Sequence, residues 1–456
     1  MSSYTSATDA DRREMLAAIG VDSIDALFAD IPESLRLSAP LDLGPGLSEQ
    51  EVYDELRALA ARNFSTEDEV SFVGAGMYDH YVPALIDSIT SRSEFLTPYT
   101  PYQPEVSQGG LQAMFEYQTA ICELTGLPVS NASVYEGPSA VAAAGYVAKH
   151  TNGRRKFVIS RGVHPHSRET LRTHAHAWGM EVVEAPLKDG VTVLPDLDDD
   201  VSAVIVQQPN FLGAVEDLEG LSDAAHAAGA LSICAGDPLP LALLRSPGEC
   251  GVDIAVGEGQ TLGNRLDFGG PSFGFFATTQ ALLRRIPGRI SGETRDVEGK
   301  RGFVLTLQTR EQHIRREKAT SNICTAQALN ALAGVIYLSW LGRRGIVELT
   351  ELMLQRTAYA RGRLAELDGV EPLHDRPVVR EFALALDAPV EAVMARCLQE
   401  GINPGYPLGG DYPEHENGLL VAITERRTRA EIDRLVEVLG AAVAAERGRT
   451  LQEVGA

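Results

Sequence analysis

Apolar residues in the central part of the chain come in short runs that are separated by amphipathic stretches. Five runs of strand length occur between about residues 155 and 280: KFVISRGV, EVVEAPL, VSAVIVQQP, ALSICAG and DIAVGE. Stretches with apolar positions at helical spacing, among them SRETLRTHAHAWG and LEGLSDAAHAAG, separate several of these runs. Strands that alternate with helices predict an α/β fold with a doubly wound, mostly parallel sheet. Ligands bind such sheets at the carboxyl ends of their strands.

The start of the chain has a different pattern, because acidic and apolar positions alternate at helical spacing over residues 9–60. Asp9 and Ser48 are suited to cap the amino termini of helices, and Gly20 is suited to end one. We therefore predict an amino-terminal helical arm over residues 1–65 that packs on a larger surface.

The end of the chain changes pattern again. A helical pattern runs from about residue 309 to 368. The tail then reads strand, helix, strand, helix in REFALALD, PVEAVMARCLQEG, NGLLVAITE and RAEIDRLVEVLGAAVAAE. This order predicts a large α/β domain over residues 66–308, followed by a connecting helix and a small α+β domain over residues 309–456.

Charge and composition exclude several classes of function. The chain has 456 residues and a formal net charge of −23, which argues against nucleic-acid binding because that requires a basic patch. The most apolar helical stretch, AQALNALAGVIYLSWLG, contains Gln327 and Asn330 and is shorter than the ~20 residues of a membrane span. The polar start MSSYTSATDADRREML lacks a secretory signal, and the five scattered cysteines form no CxxC pair. We therefore expect reduced thiols in a cytoplasmic protein.

The densest group of polar and aromatic residues is SEFLTPYTPYQPEVSQGGLQAMFEYQ, residues 93–118. Its three prolines favour an extended path over a helix. The polar and aromatic side chains on this path are Tyr99, Tyr102, Gln103, Ser107 and Gln108. Irregular segments of this kind commonly serve a site or an interface, although a proline-rich turn with packed tyrosines is equally compatible with the pattern.

Two glycine-containing segments could contact an anion. In SNASVYEGPSAVAAAG, the backbone N–H groups at Gly137–Ser139 begin an alanine-rich helix and could bind an anion, and an ordinary capped helix fits equally well. The segment Gly74-Ala-Gly76 resembles the start of a dinucleotide loop, but Asp79 stands where the third glycine is required. We do not expect nucleotide binding there.

Histidines and a glycine-rich turn mark two strand ends. His174 and His176 would project from nearly opposite sides of a helix, so no metal site is predicted, whereas His164 follows a strand at its carboxyl end. The turn GEGQTLGNRLDFGGPSFGFF separates two apolar runs, as it does where α/β enzymes present a reactive side chain. It offers Gln260, Thr261, Asn264 and Arg265 but no lysine.

These segments together resemble one family. YTPYQPEVSQG, QQPNFLG and DPLPLALLRSPGECGVDIAVGEGQ are similar to segments of glycine decarboxylase, the P-protein of the glycine cleavage system, and the resemblance runs from about residue 10 to the end. It implies the fold of type I pyridoxal-phosphate (PLP) enzymes. Members of the family are either one long chain of two homologous halves or two separate subunits, and this chain resembles the first subunit.

The resemblance also implies where the cofactor binds. Only the second subunit carries the Schiff-base lysine, in a His-Lys pair where this chain has Gln260 and Thr261. The aspartate that would contact the ring nitrogen corresponds to Cys234, while the ring-stacking histidine corresponds to His164. We therefore expect PLP in the complex to be bound by the partner subunit, and His164, Cys234 and Thr261 to mark a vestigial site.

The activity implied is that of a complex with two copies of each subunit. It would decarboxylate glycine and transfer the aminomethyl group to the lipoyl arm of H-protein. Tyr99 and Tyr102 would line the partner's site, supported by Gln103 and Ser107. Two alternatives remain. An autonomous PLP-dependent decarboxylase or aminotransferase would require a lysine at a strand end after Asp237, and a non-catalytic scaffold or regulatory protein would retain only the fold.

Overall fold

The protein is described by a computed structural model. The structure describes residues 6–39, 41–267, 270, 272–319 and 321–454. The outermost residues of the two predicted terminal domains, 1–5 and 455–456, lie outside the described residues. The chain divides into two compact units, Met1–Asn63 and Phe64–Ala456.

Over its described residues, 6–39 and 41–63, the first unit contains two α-helices, α1 (Asp9–Ile19) and α2 (Glu49–Ala60), and two short 3₁₀ turns, Asp25–Phe28 and Glu33–Leu35. Ser48 caps α2 and Gly20 ends α1 with a φ of 85°, both as predicted. The cap of α1 is Thr8 rather than Asp9, because the Thr8 hydroxyl accepts from the backbone N–H of Asp11 and the Asp11 carboxylate accepts from that of Thr8.

The second unit is built on a seven-stranded sheet and has several smaller sheets. The described strands of the whole unit are β1 (Val70–Ser71), β2 (Val129–Ser130), β3 (Lys156–Ser160), β4 (Glu181–Ala185), β5 (Leu187–Lys188), β6 (Val191–Thr192), β7 (Val201–Gln208), β8 (Leu231–Gly236), β9 (Ile254–Glu258), β10 (Gly274–Thr278), β11 (Ile290–Arg295), β12 (Arg301–Thr306), β13 (Val370–Pro372), β14 (Glu381–Leu386), β15 (Ile402–Asn403), β16 (Tyr406–Pro407) and β17 (Gly418–Ala422). The order of the large sheet is β2-β10-β9-β8-β7-β3-β4. The strands from β9 to β4 are parallel to one another, whereas β10 is antiparallel to both of its neighbours. The predicted α/β fold with a mostly parallel sheet is confirmed.

Helices cover both faces of this sheet. The described helices of the second unit are α3 (Ala84–Thr90), α4 (Ser93–Leu96), α5 (Gln108–Thr125), α6 (Gly137–Asn152), α7 (Pro165–Trp178), α8 (Leu218–Ala227), α9 (Gln312–Arg315), α10 (Ala328–Leu364), α11 (Val390–Gln399) and α12 (Arg429–Val454). On one face α6 and α7 bury Ala140, Ala144 and Leu171 against strand residues such as Ile159 and Ile205. The small side chains of α6 allow a close approach to the sheet. On the other face, α8 packs on β7 and β8, and α5 and α10 pack on β9 and β10.

The end of the chain, within the second unit, has an α+β arrangement. The four-stranded antiparallel sheet β13-β14-β17-β16 packs on α11 and α12 around a core that includes Phe382, Leu419 and Leu435. The strand–helix–strand–helix prediction for this tail is confirmed.

The helical region predicted from about residue 309 is interrupted: short helical turns, including α9, occupy residues 308–318 and a non-helical segment follows them. The hairpin of β11 and β12 precedes this region, and the long helix α10 begins only at Ala328. The intervening segment is highly charged and has few apolar positions, and the Ser321 hydroxyl bonds the backbone N–H of Ile323 in place of a helical pattern. Within α10, Gly342 has a non-helical φ of 63°. Among the described residues, no helix is both long and apolar enough to cross a membrane.

Candidate active-site cavity and partner-facing loop

A cavity of about 330 Å³ lies where the strands of the large sheet end. Its lining comes from the ends of β3, β8 and β9, the start of α6, the segment after β1 and the residue before β14. The lining includes Gly76, Tyr78, Glu136, Gly137, His164, Asp237, Glu258, Thr261 and Arg380. This is the edge at which α/β folds of this kind bind their ligands. None of the five lysines of the chain lines the cavity.

The amino terminus of α6 is bonded by carboxylates of the chain itself. The Glu136 carboxylate accepts from the backbone N–H of Ser139 at 3.1 Å. The Glu258 carboxylate, at the end of β9, accepts from the backbone N–H of Gly137 at 3.0 Å. The N–H groups that the sequence offered to an anion are therefore engaged by two glutamates.

Glu258 is held by two further donors. Its Oε1 atom accepts from the backbone N–H of Gln260 at 3.1 Å and from the hydroxyl of Ser272. Burial raises the pKa of the Glu258 carboxyl, and the hydrogen bonds from Gly137, Ser272 and Gln260 act in the opposite direction. The nearby charge of Glu136 also raises this pKa.

His164 caps the start of α7 and is fixed by its surroundings. Its Nδ1 atom accepts from the backbone N–H of His166 at 3.1 Å, so Nε2 donates to the carbonyl of Ala75 at 2.8 Å. Burial lowers the pKa of His164, which favours the neutral ring. Gly76 has a φ of 99°, and a Cβ atom there would lie 2.9 Å from the His164 ring. The Gly74-Ala-Gly76 segment thus closes over this histidine.

Of the predicted vestigial positions, His164 and Thr261 line the cavity and Cys234 does not. The Cys234 side chain packs in the core with Val204 and Val206, and burial raises the pKa of its thiol. Asp237, three residues beyond, does reach the cavity. Thr261 is buried, and its hydroxyl has no hydrogen-bond partner within the described part of the chain.

Sequence reasoning missed an ionic and aromatic cluster beside the cavity. The Arg380 guanidinium forms an ion pair with Asp237 and lies 3.4 Å from the centroid of the Tyr78 ring. It also donates to Nε2 of His80, whose Nδ1 bonds Glu425 at 2.7 Å. The signal was present in VVREFAL, because Arg380 directly precedes a buried strand and Glu381 is its first residue.

Glu381, next to Arg380, is the most unusual acid of this cluster. Its carboxylate accepts from the backbone N–H of Ala75 and from the Tyr78 hydroxyl, both at 2.8 Å. Burial raises the pKa of Glu381 to about 7, although these two hydrogen bonds favour the ionised form.

The four loop residues predicted to serve a site lie elsewhere. Neither Tyr99, Tyr102, Gln103 nor Ser107 lines the cavity. Tyr99 is 83% exposed and Tyr102 is 53% exposed, and Gln103 is exposed as well. The Tyr102 hydroxyl accepts from the guanidinium of buried Arg289 at 3.2 Å.

This loop borders a second concave surface, the apolar groove. The groove has a volume of about 700 Å³ and is lined by residues that include Leu96, Tyr99, Val106, Ser107, Met114 and Leu332. The exposed fractions of Val106 and Leu96 are 81% and 56%. Exposed apolar side chains gathered at a groove are typical of a surface that binds another protein.

Comparison with known proteins gives the family. The sequence model described as "Glycine cleavage system P-protein" matches residues 2–439. The chain belongs to this family. A "Probable glycine dehydrogenase (decarboxylating) subunit 1" of Geotalea uraniireducens is 51% identical over 445 residues, which is 97% of this chain and 100% of the relative. The predicted resemblance is confirmed.

Solved structures agree with the family assignment. A glycine decarboxylase (P-protein) of the glycine cleavage system, crystallised in inhibitor-bound form, superposes with a TM-score of 0.88 at 46% identity, covering 97% of this chain and 100% of that one. A sphingosine-1-phosphate lyase of Burkholderia pseudomallei shares the fold, with a TM-score of 0.62 at 17% identity over 92% and 95% of the two chains. The predicted type I PLP-enzyme fold is confirmed.

The cavity residues do not fit PLP, although the fold is that of PLP enzymes. Thr261 stands in the turn after β9, at the position that corresponds to the Schiff-base lysine, and Cys234 packs in the core away from the cavity. The N–H groups that start α6 already bond Glu136 and Glu258. Across the described residues, no group of three or more His, Cys, Asp or Glu side chains is arranged to hold a metal ion.

Proposed function

We propose that this chain is the first subunit of a two-subunit glycine dehydrogenase (decarboxylating) and is active only with a PLP-bearing second subunit. The assembly converts glycine and an oxidised lipoyl group of H-protein to carbon dioxide and an aminomethyl-lipoyl group. One observation carries the division of labour: in a chain of the P-protein family, the cavity at the sheet edge has no lysine.

The chemistry explains why a partner is needed. Glycine decarboxylation leaves a carbanion that the cofactor must delocalise, and a lysine must form and release the Schiff base. This chain has Thr261 at the position of the Schiff-base lysine and Cys234 at the position of the carboxylate that would contact the ring nitrogen. The groups that hold and activate PLP therefore come from the partner subunit.

The role that we assign to this chain is to complete the partner's site with the loop that carries Tyr99 and Tyr102. Both tyrosines are exposed, and Arg289 fixes the position of the Tyr102 ring and hydroxyl. A partner that covers the apolar groove would enclose the loop at the same time. Gln103 and Ser107, on the same loop, would support the two tyrosines.

We further propose an assembly with two copies of each subunit in the cytoplasm. The apolar residues Val52, Leu56 and Leu59 of α2 share one face and are exposed, which suits an arm that binds a neighbouring surface. Obligate interfaces commonly bury more than roughly 2,000 Å². All five cysteines are free thiols, which is compatible with a reducing compartment.

Reconstitution tests the proposal. The chain and the candidate second subunit are purified separately and mixed in equal amounts, and carbon dioxide exchange into glycine is measured with saturating H-protein. We expect activity only in the mixture. Activity of this chain alone would favour an autonomous decarboxylase, and full activity of the partner alone would favour a scaffold; either result would overturn the proposal.

A further inference from the structure

Three donors converge on the Glu258 carboxylate at the mouth of α6. They are the backbone N–H groups of Gly137 and Gln260 and the hydroxyl of Ser272. A Cβ atom added to Gly137 would lie 3.1 Å from the Cβ and the backbone nitrogen of Glu258, so the start of α6 approaches the end of β9 closely. Donors from three separate segments around one oxyanion form the kind of concave arrangement that binds anions.

The helix behind Gly137 favours a negative charge at the same position. α6 has 16 residues, and the partial positive charge of its amino terminus stabilises an anion within the first turn. The chain supplies two such charges here, because Glu136 bonds Ser139 while Glu258 bonds Gly137. The other charged pair of the cavity, Asp237 and Arg380, is already matched. A further anion would therefore meet two carboxylates that already occupy these donors.

We propose that Glu258 is a built-in anion: its carboxylate fills the position at which the start of α6 would hold the phosphate or carboxylate group of an external ligand, and it excludes phosphorylated ligands from the cavity. In one respect this inference rests on the proposed function, because it explains how PLP is kept from this subunit. Glu258 is thus a specificity-determining residue.

The test is chemical rescue of Glu258→Ala. This substitution leaves the N–H groups of Gly137 and Gln260 and the Ser272 hydroxyl around a void the size of a carboxylate. The full-length chain, in the assembly in which it is purified, is heated with acetate, formate or phosphate against chloride at equal ionic strength. We expect the variant to lose thermal stability, and acetate or formate to recover at least half of the lost Tm without changing that of the wild type.

Two variants serve as controls. Glu258→Gln fills the same volume and leaves no void, so acetate should not shift its Tm. Asp217→Ala removes a carboxylate that caps α8 by accepting from Gly220 at 3.1 Å on the exposed surface, and acetate should not rescue it either. Glu258→Ser is the milder version of the main variant if Glu258→Ala yields little folded protein.

Several results decide the matter without any activity measurement. Saturable rescue confined to Glu258→Ala or Glu258→Ser, and weakened by the additional change Ser272→Ala, supports the inference. A folded Glu258→Ala variant that responds to acetate no more than the wild type overturns it, as does equal rescue of Glu258→Gln. Because these readouts are stabilities, they remain valid even if the proposed glycine decarboxylation is wrong.

Discussion

The cavity at the sheet edge and the loop that carries Tyr99 differ in how their polar groups are satisfied. In the cavity, each of the carboxylates Glu136, Glu258 and Asp237 has a partner within the chain. On the loop, Tyr99 is 83% exposed, and an apolar groove lies beside it. The cavity residues that would act in an autonomous enzyme are bonded to other groups of the chain, whereas the loop residues that could act on a second protein are exposed to solvent. The predictions below separate the two regions by stability and by rate.

The largest expected effect is on stability and belongs to the cavity. Arg380→Ala removes a buried guanidinium, leaves the half-buried Asp237 without its cation and removes the donor to His80. Breaking a buried ion pair in this way costs about 3–5 kcal/mol, which we expect in the free energy of unfolding from chemical denaturation. The control Arg344→Ala removes an exposed i,i+4 pair with Glu348, where a loss of at most about 0.5 kcal/mol is expected. Similar losses of unfolding free energy in the two variants would show that the ion pair of Arg380 with Asp237 contributes no more than an exposed pair.

The next effect is a pH dependence that originates from Glu381. The pKa of its carboxyl in the folded state is about 7, above the ordinary glutamate value of 4.5, so its favourable contribution to stability is fully present below about pH 4.5. That contribution is lost as the pH rises through about 7, when the buried group ionises. Glu381→Gln keeps an acceptor for Ala75 and cannot ionise. We expect the variant to gain on the order of 2 kcal/mol relative to the wild type between pH 5 and pH 8.

Denaturation curves at several pH values measure this difference. The control is Glu348→Gln, because Glu348 is 56% exposed on the surface of α10. Parallel stability profiles for the wild type and Glu381→Gln would show that Glu381 does not titrate in this range.

A smaller effect, on rate alone, belongs to the loop. Tyr99→Phe and Tyr102→Phe remove a hydroxyl and keep the ring, so assembly should be unchanged. Tyr102→Phe also removes an acceptor of the buried Arg289 guanidinium, so a small loss of stability is expected for this variant alone. We expect glycine decarboxylation by the complete assembly to slow by at least about tenfold, or about 1.4 kcal/mol, for one of the two. Carbon dioxide exchange with saturating H-protein measures it, and Tyr81→Phe, at another exposed tyrosine, is the control. If both variants keep the full rate, the loop has a structural role only.

The sequence predicted the strands of the sheet better than the hydrogen bonds between side chains that lie far apart in the chain. The apolar runs became β3, β4, β7, β8 and β9 because strand formation depends on local pattern. The bond from Gly137 to Glu258 joins residues 121 apart, and that from Tyr78 to Glu381 joins residues 303 apart. No local pattern contains such pairs. The interruption of the helical region after residue 309 was missed for a related reason, since the charged residues there fit helical spacing but Arg310 is buried against the carbonyls of Ile286 and Gly288.

The smallest expected effect is the absence of any PLP absorbance. It distinguishes two reasons why PLP would not bind: the absence of a lysine, and the occupation of the start of α6 by glutamates. The wild-type chain incubated with PLP should show no visible band that borohydride fixes covalently, because no lysine lines the cavity. Thr261→Lys restores a lysine in the turn after β9, yet we expect it to remain colourless as well. The start of α6 is still bonded by Glu136 and Glu258, so the phosphate group has no place to bind. The double variant Thr261→Lys with Glu258→Ala is the sharper comparison, since it supplies both the amine and the freed N–H groups. A borohydride-stable band on Thr261→Lys alone, located by peptide mapping at residue 261, would show that the lysine was the only barrier and that the two glutamates do not exclude the cofactor.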